Sequence, residues 1–313
     1  MKLVSFSYNK VCSIGVFDSS TKSIVDIHKL SKGKLPNNML DYLKDFKKNN
    51  INLKILLKDV SSEFYLKSSD VVISPPLPNP VSFRDAYAFR KHVEAGRRNR
   101  GLDMIPEYDH FPVFYFSNHN SITGPGAVSF EKEHFKKLDF EFEIAAVISK
   151  QGKNIKCDEA DDYIAGFVIM NDWSERDVQL KEMKLNLGPA KGKDFATSIG
   201  PFLVTLDELD DVKIDSNLGA KYDLNMNGYI NGKLVSNDNF KNITWSFAQI
   251  IERISHGADI FPGDLIGSGT CATGCLLELN LTHNNNEWLK VNDEIKLEVD
   301  RLGVLSNRIS LKK

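Results

Sequence analysis

The segment FEFEIAAVIS, residues 140–149, constrains the fold of this chain more than any other segment. Phenylalanine and glutamate alternate at its start, so in a strand Glu141 and Glu143 project from the same face. The apolar run that follows predicts a buried strand. Neighbouring carboxylates in a buried strand are costly unless a cation neutralises them. Seen alone, however, an E-x-E pair is more often a solvated or edge-protecting face than a pair of metal ligands.

Two more carboxylates stand in motifs of their own. Asp85 lies in RDAYAFRKH, and Asp172 in MNDWSERD follows the apolar run IAGFVIMN, where a buried strand is expected to end and a helix to begin. By itself, Asp172 is equally well explained as a helix cap or a turn residue. Hard cations prefer oxygen ligands, and no group of Cys and His residues has the spacing of a zinc site. We therefore predict one site for Mg²⁺, Ca²⁺ or Mn²⁺, formed by Asp85, Glu141, Glu143 and Asp172.

The composition is that of a globular chain without a membrane span. Of its 313 residues, 42% are hydrophobic and 26% are charged, and no run approaches the roughly 20 apolar residues that span a bilayer. The segment MKLVSFSYNK lacks the apolar core of a signal peptide, and four scattered cysteines are too few for a disulfide framework. We therefore expect a cytoplasmic protein with no membrane partner, in which Cys271 and Cys275 are small buried residues. The net charge of −2 argues against a nucleic-acid partner.

A proline-rich segment, SPPLPNP at residues 74–80, is the best candidate for a domain boundary, because it continues neither a helix nor a central strand. Residues 1–73 contain the strand-like runs KLVSFSY, CSIGVFD and SIVDIH, a predicted helix through MLDYLKDF, and a further strand, INLKILL. We predict that they form a small β-rich accessory domain. Residues 81–313 carry all the candidate chemistry.

The larger part, from residue 81 onward, is predicted to consist mainly of strands. Helices are expected after Ser82, after Ser174 and across WSFAQIIERISH. Turns are expected at two Asn-Gly pairs, 227–228 and 231–232. The predicted strands are FPVFYFS, FEFEIAAVIS, YIAGFVIM, GPFLVTL, KYDLNMN, LLELNLT and EIKLEVD. Because strands and helices do not alternate, we predict a mixed, mainly β domain with peripheral helices, in the α+β class.

His92 is the best candidate for a general base. It follows Asp85 by seven residues, so a helix there would place the base two turns from a metal ligand and on the same side. A catalytic histidine also needs a carboxylate that orients its ring, and either Glu278 or the nearby Glu94 could supply it. Among its basic neighbours, His92 is equally compatible with a solvated helix surface.

The segment after Asp172 offers polar groups that could contact a substrate. Ser174 and Asp177 predict a helix start, beyond which Arg176 and Gln179 share one face. Arg176 has donors for a carboxylate or an oxyanion, but a surface arginine on an amphipathic helix is the alternative. The loop GPAKGKDFATS adds Lys191 and Lys193, but lacks the spacing of a phosphate loop. The basic cluster KHVEAGRRNR suggests a small anionic substrate.

Together, these motifs resemble the fumarylacetoacetate hydrolase family over residues 81–300 or so. The motifs that carry the resemblance are RDAYAFRKH, HFPVFYFS, LDFEFE, MNDWSERDVQ, GPAKGKDFATSIGP and GSGTCATGCLLEL. MNDWSxRD with an upstream E-x-E is highly specific to this family. The resemblance implies a mixed β-roll catalytic domain behind a small N-terminal β-rich domain, a bound Mg²⁺, Ca²⁺ or Mn²⁺, and a homodimer.

The resemblance also implies a role for individual residues. It makes Asp85, Glu141, Glu143 and Asp172 the metal ligands, and His92 the base paired with Glu278. The positions that match contacts to substrate oxygens are Arg176, Gln179 and Lys193, and those that match the substrate pocket are Tyr87, Tyr115 and Thr270. Arg98 or Arg100 would bind a terminal carboxylate. Where the family has a further pocket tyrosine, this chain has Met183 and Lys184 nearby.

The function that follows from the resemblance is hydrolysis of a carbon-carbon bond in a 1,3-diketo acid, fumarylacetoacetate or a related acylpyruvate. His92 would activate water and the metal would stabilise an enolate. Decarboxylases, dehydratases and isomerases of 2-oxo acids use the same metal chemistry within this family, and they remain an alternative. A metal-stabilised binding protein without catalytic activity is a third hypothesis.

Overall fold

A computed structural model describes residues 1–98 and 101–312. Its strands are β1 (Lys2–Tyr8), β2 (Val11–Asp18), β3 (Ser23–Asp26), β4 (Tyr65–Lys67), β5 (Val72–Ser74), β6 (Phe83–Ala86), β7 (Phe114–Phe116), β8 (Ile122–Thr123), β9 (Gly126–Phe130), β10 (Leu138–Asp139), β11 (Phe142–Ile148), β12 (Ile164–Asp172), β13 (Ser174–Glu175), β14 (Thr197–Thr205), β15 (Lys213–Ile214), β16 (Lys221–Tyr222), β17 (Asn225–Ile230), β18 (Lys233–Asn239), β19 (Leu265–Gly267), β20 (Glu294–Val299) and β21 (Gly303–Leu311). Its α-helices are α1 (Ile27–Leu30), α2 (Met39–Lys44), α3 (Phe46–Leu56), α4 (Arg90–Arg98), α5 (Cys157–Ala160), α6 (Arg176–Glu182), α7 (Phe247–Ser255) and α8 (Leu276–His283). No helix among these residues is long and apolar enough to cross a bilayer.

A large mixed sheet forms the centre of the fold. Its strands follow the order β4-β3-β2-β1-β14-β12-β11-β19-β6-β7, with β5 added beside β1 and β8 beside β14. Most neighbours are antiparallel, whereas β19 and β6 are parallel. A second sheet has the order β18-β17-β20-β21-β9. The mixed, mainly β fold predicted from the sequence is therefore confirmed.

Alternating side chains of the central strands enter two separate cores. In β11, Phe142, Ile144 and Ala146 belong to a core shared with the second sheet, whereas Ala145 and Val147 belong to a core on the opposite face. The second core also contains buried residues of β1, α2 and α3. Both faces of the central strands are thus covered, which explains why their sequences are nearly continuous apolar runs. The second of these cores ends at the candidate site.

The first strands of the chain join the same sheet as the later ones. Leu3 on β1 pairs with Leu203 on β14, and both are buried in one core with Phe83. The segment 74–80 therefore separates parts of the chain that share a sheet and a core. The division into an accessory domain, 1–73, and a catalytic domain, 81–313, stays a prediction.

Several local predictions were wrong, and each has a physical reason. INLKILL lies in helix α3, where Leu53 is buried and Ile55 is exposed, a helical rather than an alternating pattern. LLELNLT is helix α8, which Cys275 caps by accepting from the backbone N–H of Glu278. Its buried residues happen to be two apart, and this spacing suggested a strand. Residues after Ser82 form β6, and the helix there begins at Arg90.

The two Asn-Gly predictions had different outcomes. Asn231 and Gly232 both have positive φ and connect β17 to β18, as a hairpin turn requires. Asn227 and Gly228 instead lie inside β17, next to an irregularity in its pairing with β18. Because an Asn-Gly pair also tolerates a β-bulge, its presence alone did not locate the turn. The predicted helix across WSFAQIIERISH is confirmed as α7, with a capping box at Ser246.

Candidate metal centre and active site

Three of the four candidate metal ligands continue the alternation of the second core. In β11, Glu143 follows the buried face of Val147 and Ala145, and in β12, Asp172 follows that of Val168 and Met170. In β6, Asp85 follows the buried Phe83 in the same way. Since side chains two apart in a strand share a face, the three carboxylates lie together where the apolar core ends. This continuation explains why acids stand next to apolar runs in the sequence.

Glu141 reaches the same place from the connection between β10 and β11. The backbone N–H of Asp172 donates to the Glu141 carbonyl oxygen at 3.1 Å, which continues the β11–β12 pairing by one residue beyond Phe142 and Asn171. The side chain of Asn171 in turn accepts from the Glu141 N–H at 3.0 Å. Glu141 and Asp172 are therefore cross-strand neighbours.

A glycine makes room for the fourth carboxylate. Gly267 on β19 pairs with Ala145 of β11 on one side and with Asp85 of β6 on the other. A Cβ atom at position 267 would overlap Oδ1 of Asp85 and the Met170 methyl group. Only glycine lets the Asp85 carboxylate occupy this space, so the strand between the ligands is part of the site.

The four carboxylates form a compact buried cluster. One carboxylate oxygen from each of Asp85, Glu141, Glu143 and Asp172 lies within 4.8 Å of the others. All four residues are buried, and both carboxylate oxygens of Glu143 lack a hydrogen-bond partner among the described residues. A buried carboxylate without a donor is costly. An all-oxygen cluster with such an orphaned group fits a hard divalent cation.

The protonation of the cluster agrees with a missing positive charge. Burial raises the pKa of Asp85 to about 7, and the neighbouring Asp172 raises it further in the same direction. Burial, with Asp85 and Glu141 nearby, holds the pKa of Glu143 well above its usual range. Burial also raises the pKa of Asp172, although Lys193 opposes the shift. Without a cation, these acids therefore tend to keep protons instead of ionising together.

Two cations compensate part of the charge. Lys193 Nζ donates to Glu141 and, at 2.7 Å, to Asp172 Oδ2. Arg176 contacts Glu141 Oε1 at 2.7 Å. Burial alone would raise the pKa of Glu141, but Lys193 and Arg176 outweigh it and hold that pKa well below its usual range. Four carboxylates, at −4, and these two cations, at +2, leave −2, which one divalent ion would neutralise.

His92 and Glu278 form a hydrogen-bonded pair beside the carboxylates. His92 Nδ1 lies 2.6 Å from Glu278 Oε2, and the other oxygen of Glu278 accepts from the Thr273 N–H at 3.0 Å. An ionised carboxylate only accepts, so this contact assigns the proton of the neutral imidazole to Nδ1 and leaves Nε2 as the base. Glu278 stands in the first turn of α8, where the helix dipole favours an anion. Of the two partners considered from the sequence, Glu94 instead binds Arg90.

The reason given for placing His92 near Asp85 was wrong. Asp85 lies in strand β6 and His92 in helix α4, so no single helix carries both. The chain reverses between them, where the Ala88 N–H donates to the Ser268 carbonyl oxygen. Both residues nevertheless line one cavity.

Cys275 lies near His92 and Glu278, but its chemistry does not suit a second metal site. Burial and the nearby Asp139 raise the pKa of the Cys275 thiol well above its usual range. A metal ligand must be the thiolate, whereas this sulfur stays protonated and caps α8. Cys271 is also buried, as expected from the sequence.

The helix that carries Arg176 and Gln179 begins one residue later than predicted. Ser174 lies in β13, and the cap of α6 is Glu175, whose carboxylate accepts from the N–H groups of Asp177 and Val178. Arg176 Nη1 contacts Gln179 Oε1 at 2.8 Å, so these residues do share a face. Nη2 of Arg176 is buried and has no hydrogen-bond partner among the described residues.

One cavity of about 520 Å³ unites most of the predicted residues. Its lining includes Asp85, Tyr87, His92, Tyr115, Glu141, Arg176, Gln179, Lys193, Thr270 and Glu278. The hydroxyl of Tyr115 donates to Asp172 Oδ2 at 2.8 Å and also lies near Asp85. The structure does not bring Arg98 to this cavity, because it is exposed at the end of α4. Arg100, the other candidate for a terminal carboxylate, lies outside the described residues.

Sequence analysis missed two acids that hold the site in place. Asp139 is fully buried, pairs with Arg176 Nε at 2.8 Å, and accepts from the N–H groups of Leu276 and Leu277 at the start of α8. Glu182 accepts from three N–H groups of the loop before Lys193, at residues 190–192. For Asp139 the signal was present in LDFEFE, where a third acid precedes the E-x-E pair. For Glu182 we find no local signal.

Comparisons with known proteins agree with this geometry. The sequence profile described as "Fumarylacetoacetate (FAA) hydrolase C-terminal" matches residues 82–310. Fumarylacetoacetase of Arabidopsis thaliana is 31% identical over 256 residues, which cover 67% of this chain but only 60% of that relative. Oxaloacetate tautomerase YisK of Bacillus subtilis is 26% identical over 257 residues, covering 80% of this chain and 77% of the relative.

A solved structure extends the likeness to the whole fold. Maleylpyruvate hydrolase from Sphingobium sp. SYK-6, in complex with manganese(II) ion and pyruvate, has a TM-score of 0.73 and covers 100% of both chains. Its sequence identity is 19%, so this likeness concerns the fold alone.

Proposed function

The chain belongs to the fumarylacetoacetate hydrolase family, and on this premise we propose that it is a metal-dependent hydrolase of a carbon-carbon bond in a 1,3-diketo acid. The observation that carries the proposal is the His92–Glu278 pair, which lines the same cavity as the cluster of carboxylates. A decarboxylation or a keto-enol conversion needs no activated water, whereas hydrolysis does. An oriented histidine base therefore favours hydrolysis.

Asp85, Glu141, Glu143 and Asp172 would hold the metal, which we propose to be Mg²⁺, with Ca²⁺ or Mn²⁺ as alternatives. Bound there, a divalent ion would polarise the carbonyl of the diketo acid and stabilise the negative charge that develops on its oxygens. The manganese in the Sphingobium hydrolase supports a divalent ion at this fold. Tyr115 and Lys193 would hold the ligands in place, since each donates to Asp172.

His92 would act as the general base. Its Nδ1 proton is held by Glu278, so Nε2 can take a proton from a water molecule, whose oxygen then attacks a carbonyl carbon of the substrate. Glu278 stabilises the imidazolium that results. As the bond between that carbon and the neighbouring methylene breaks, its electron pair goes to the enolate of the second product, and the proton on His92 can return to that carbon.

Arg176, Gln179 and Lys193 would position the substrate oxygens. Nη2 of Arg176 is the donor best suited to this role, because the other nitrogens of its guanidinium already contact Asp139, Glu141 and Gln179. A fixed, buried donor stabilises an oxyanion without reorganising during the reaction. Tyr87 and Thr270 would complete the pocket wall. For Arg98, a contact with a terminal carboxylate stays a prediction.

A second candidate function is tautomerisation, or another conversion of a 2-oxo acid without hydrolysis. The similarity to a relative named oxaloacetate tautomerase, over 80% of this chain, favours it. The same carboxylates and Lys193 could stabilise an enolate in that reaction, with no demand for a water-activating base. The expectations of a homodimer and of a cytoplasmic location stay predictions; sedimentation equilibrium of the purified protein tests the first.

The proposal is tested by assaying fumarylacetoacetate, a panel of acylpyruvates and oxaloacetate with Mg²⁺ and with EDTA. We expect metal-dependent cleavage that falls about 10²- to 10⁴-fold in His92→Asn and in Glu278→Gln. His283→Asn, an exposed histidine on the same helix as Glu278, is the matched control and should keep full activity. If no diketo acid is cleaved while oxaloacetate tautomerisation proceeds unchanged in His92→Asn, the second candidate replaces the first.

A further inference from the structure

The outer part of the cavity has an apolar wall that the proposed chemistry does not use. Val113, Leu180, Met183 and Leu281 line the cavity, and each is between 40% and 48% exposed. They come from three places in the chain: the approach to β7, the end of α6 and the middle of α8. Exposed apolar side chains from separate elements that converge on one cavity mark a binding surface for an apolar group.

The cations of the cavity lie at its inner end and are already engaged. Among the described lining residues, the positively charged or titratable bases are His92, Arg176 and Lys193. His92 is paired with Glu278, and Lys193 with Glu141 and Asp172. Arg176 binds Asp139 and Glu141. A second carboxylate at the outer end of a substrate would therefore meet the apolar wall without a paired cation.

The basic residues of α4 do not fill this gap within the described chain. Arg97 is held by the Asp103 carbonyl oxygen, and Arg90 by Glu94 and Asp109. Arg98 is exposed and does not line the cavity. A charged group desolvated against an apolar wall is disfavoured, whereas each buried methylene is favoured by about fourfold in affinity.

We infer that the substrate is a monocarboxylic acylpyruvate with an apolar acyl chain, and not a dicarboxylic diketo acid such as fumarylacetoacetate. The inference rests on the proposed function and narrows it. The carboxylate and the two carbonyl groups occupy the inner end, near Arg176 and Lys193. The alkyl chain lies along Val113, Leu180, Met183 and Leu281, and covers side chains that are otherwise open to water.

The first test compares acyl chains of equal length that differ only at their end. With the Mg²⁺-loaded enzyme, kcat/KM should rise about fourfold per methylene from acetylpyruvate towards hexanoylpyruvate. Adipoylpyruvate has the same chain length but ends in a carboxylate, and should be cleaved on the order of 100-fold less efficiently. Equal or better cleavage of adipoylpyruvate or fumarylacetoacetate would overturn the inference while leaving the hydrolase proposal intact.

Variants locate the chain-binding surface. Met183→Ala should reduce the preference for hexanoylpyruvate over acetylpyruvate about fourfold or more, because Met183 lines the cavity. Leu185→Ala is the matched control: Leu185 is 80% exposed and lies two residues away, outside the cavity lining. An equal effect of both variants, or a selective loss of adipoylpyruvate cleavage in Arg98→Ala, would contradict the assignment.

Binding separates this inference from the proposed activity. If the protein cleaves no diketo acid, the hydrolase proposal fails, but the apolar wall still predicts which 2-oxo acid binds. In the presence of Mg²⁺, 2-oxohexanoate should raise the Tm more than 2-oxoadipate, its dicarboxylic counterpart. A larger Tm increase with 2-oxoadipate would reject the apolar subsite independently of any turnover.

Discussion

Asp85 connects the protonation of the cluster with metal binding. Burial and Asp172 raise its pKa to about 7, and the pKa of Glu143 shifts in the same direction. In the metal-free protein, the neutral form of Asp85 is therefore favoured. Its stabilising contribution is complete below the ordinary carboxyl pKa near 4 and is lost as the pH rises through about 7. Metal binding needs the anion, so the metal must displace protons.

We predict that stabilisation by Mg²⁺ grows with pH. The difference in Tm between the protein with Mg²⁺ and the protein with EDTA should increase between about pH 5.5 and about pH 8.5, since each proton released adds about 1.4 kcal/mol per pH unit to the binding free energy. Differential scanning calorimetry at fixed ionic strength measures it. Asp85→Asn, which cannot titrate, should flatten the dependence. A Tm difference that is constant or falls with pH would contradict the arrangement of charges.

At the level of residues, much of the candidate site could be predicted from the sequence. Glu141 and Glu143 alternate with phenylalanine, and Asp172 ends an apolar run, so their side chains follow from strand geometry alone. The proximity of His92 to Asp85 was predicted from a helix that does not exist, and the turn at residues 86–89 brings them together instead. The role of Asp139 depends on α8, more than a hundred residues away along the chain, which local patterns do not reveal.

Strand β19 shows how an element without any ligand can form the site. Gly267 separates the two strands that carry Glu143 and Asp85, and its missing side chain leaves room for the Asp85 carboxylate. The strand is only three residues long, and its sequence, LIG, gives no sign of this role. Position and contact, rather than residue chemistry, make the glycine necessary.

We predict that Gly267→Ala lowers Mg²⁺ affinity by about 10- to 100-fold, because the new methyl group would displace the Asp85 carboxylate. Isothermal titration calorimetry of the EDTA-treated protein gives the affinity. Gly96→Ala in α4 is the control, since a Cβ there meets nothing within 4 Å, and the Mg²⁺ affinity should not change. Wild-type affinity in Gly267→Ala would mean that Asp85 is not a ligand.

At the level of elements, long periodic segments were predicted better than short polar ones. Strands β11, β12, β14 and β20, and helix α7, follow directly from apolar periodicity. Helix α8 was assigned as a strand because its buried residues Leu276, Glu278 and Asn280 alternate. They are buried by different partners: Glu278 contacts His92, and Asn280 contacts the backbone of Glu287. Such tertiary contacts override a local pattern.

The whole molecule unites both ends of the proposed domain boundary in one sheet. Strand β1 pairs with β14, and Leu3 shares a buried core with Met170, two residues from Asp172. Local sequence patterns do not reveal which strands pair across such distances, so this continuity was not predicted. A core that runs from β1 to the metal cluster favours unfolding as one cooperative unit.

We predict that Leu3→Ala destabilises the catalytic part by about 2–5 kcal/mol, because it leaves a cavity in the shared core. All three tryptophans lie beyond residue 80, so tryptophan fluorescence during urea unfolding reports on that part alone. Val11→Ala, at an exposed position of β2, should leave the midpoint unchanged. An unchanged midpoint in Leu3→Ala, with a separate earlier loss of circular dichroism, would instead indicate an independent N-terminal domain.

The central claim is that His92 activates a water molecule that is incorporated when the carbon-carbon bond breaks. The most direct measurement is cleavage of an acylpyruvate in ¹⁸O-labelled water with Mg²⁺ present, with the released acids analysed by mass spectrometry. The account predicts ¹⁸O in the newly formed carboxylate, at a rate that falls about 10²- to 10⁴-fold in His92→Asn. Turnover of 2-oxo acids by tautomerisation or loss of CO₂, with no labelled carboxylate and no dependence on His92, would contradict it.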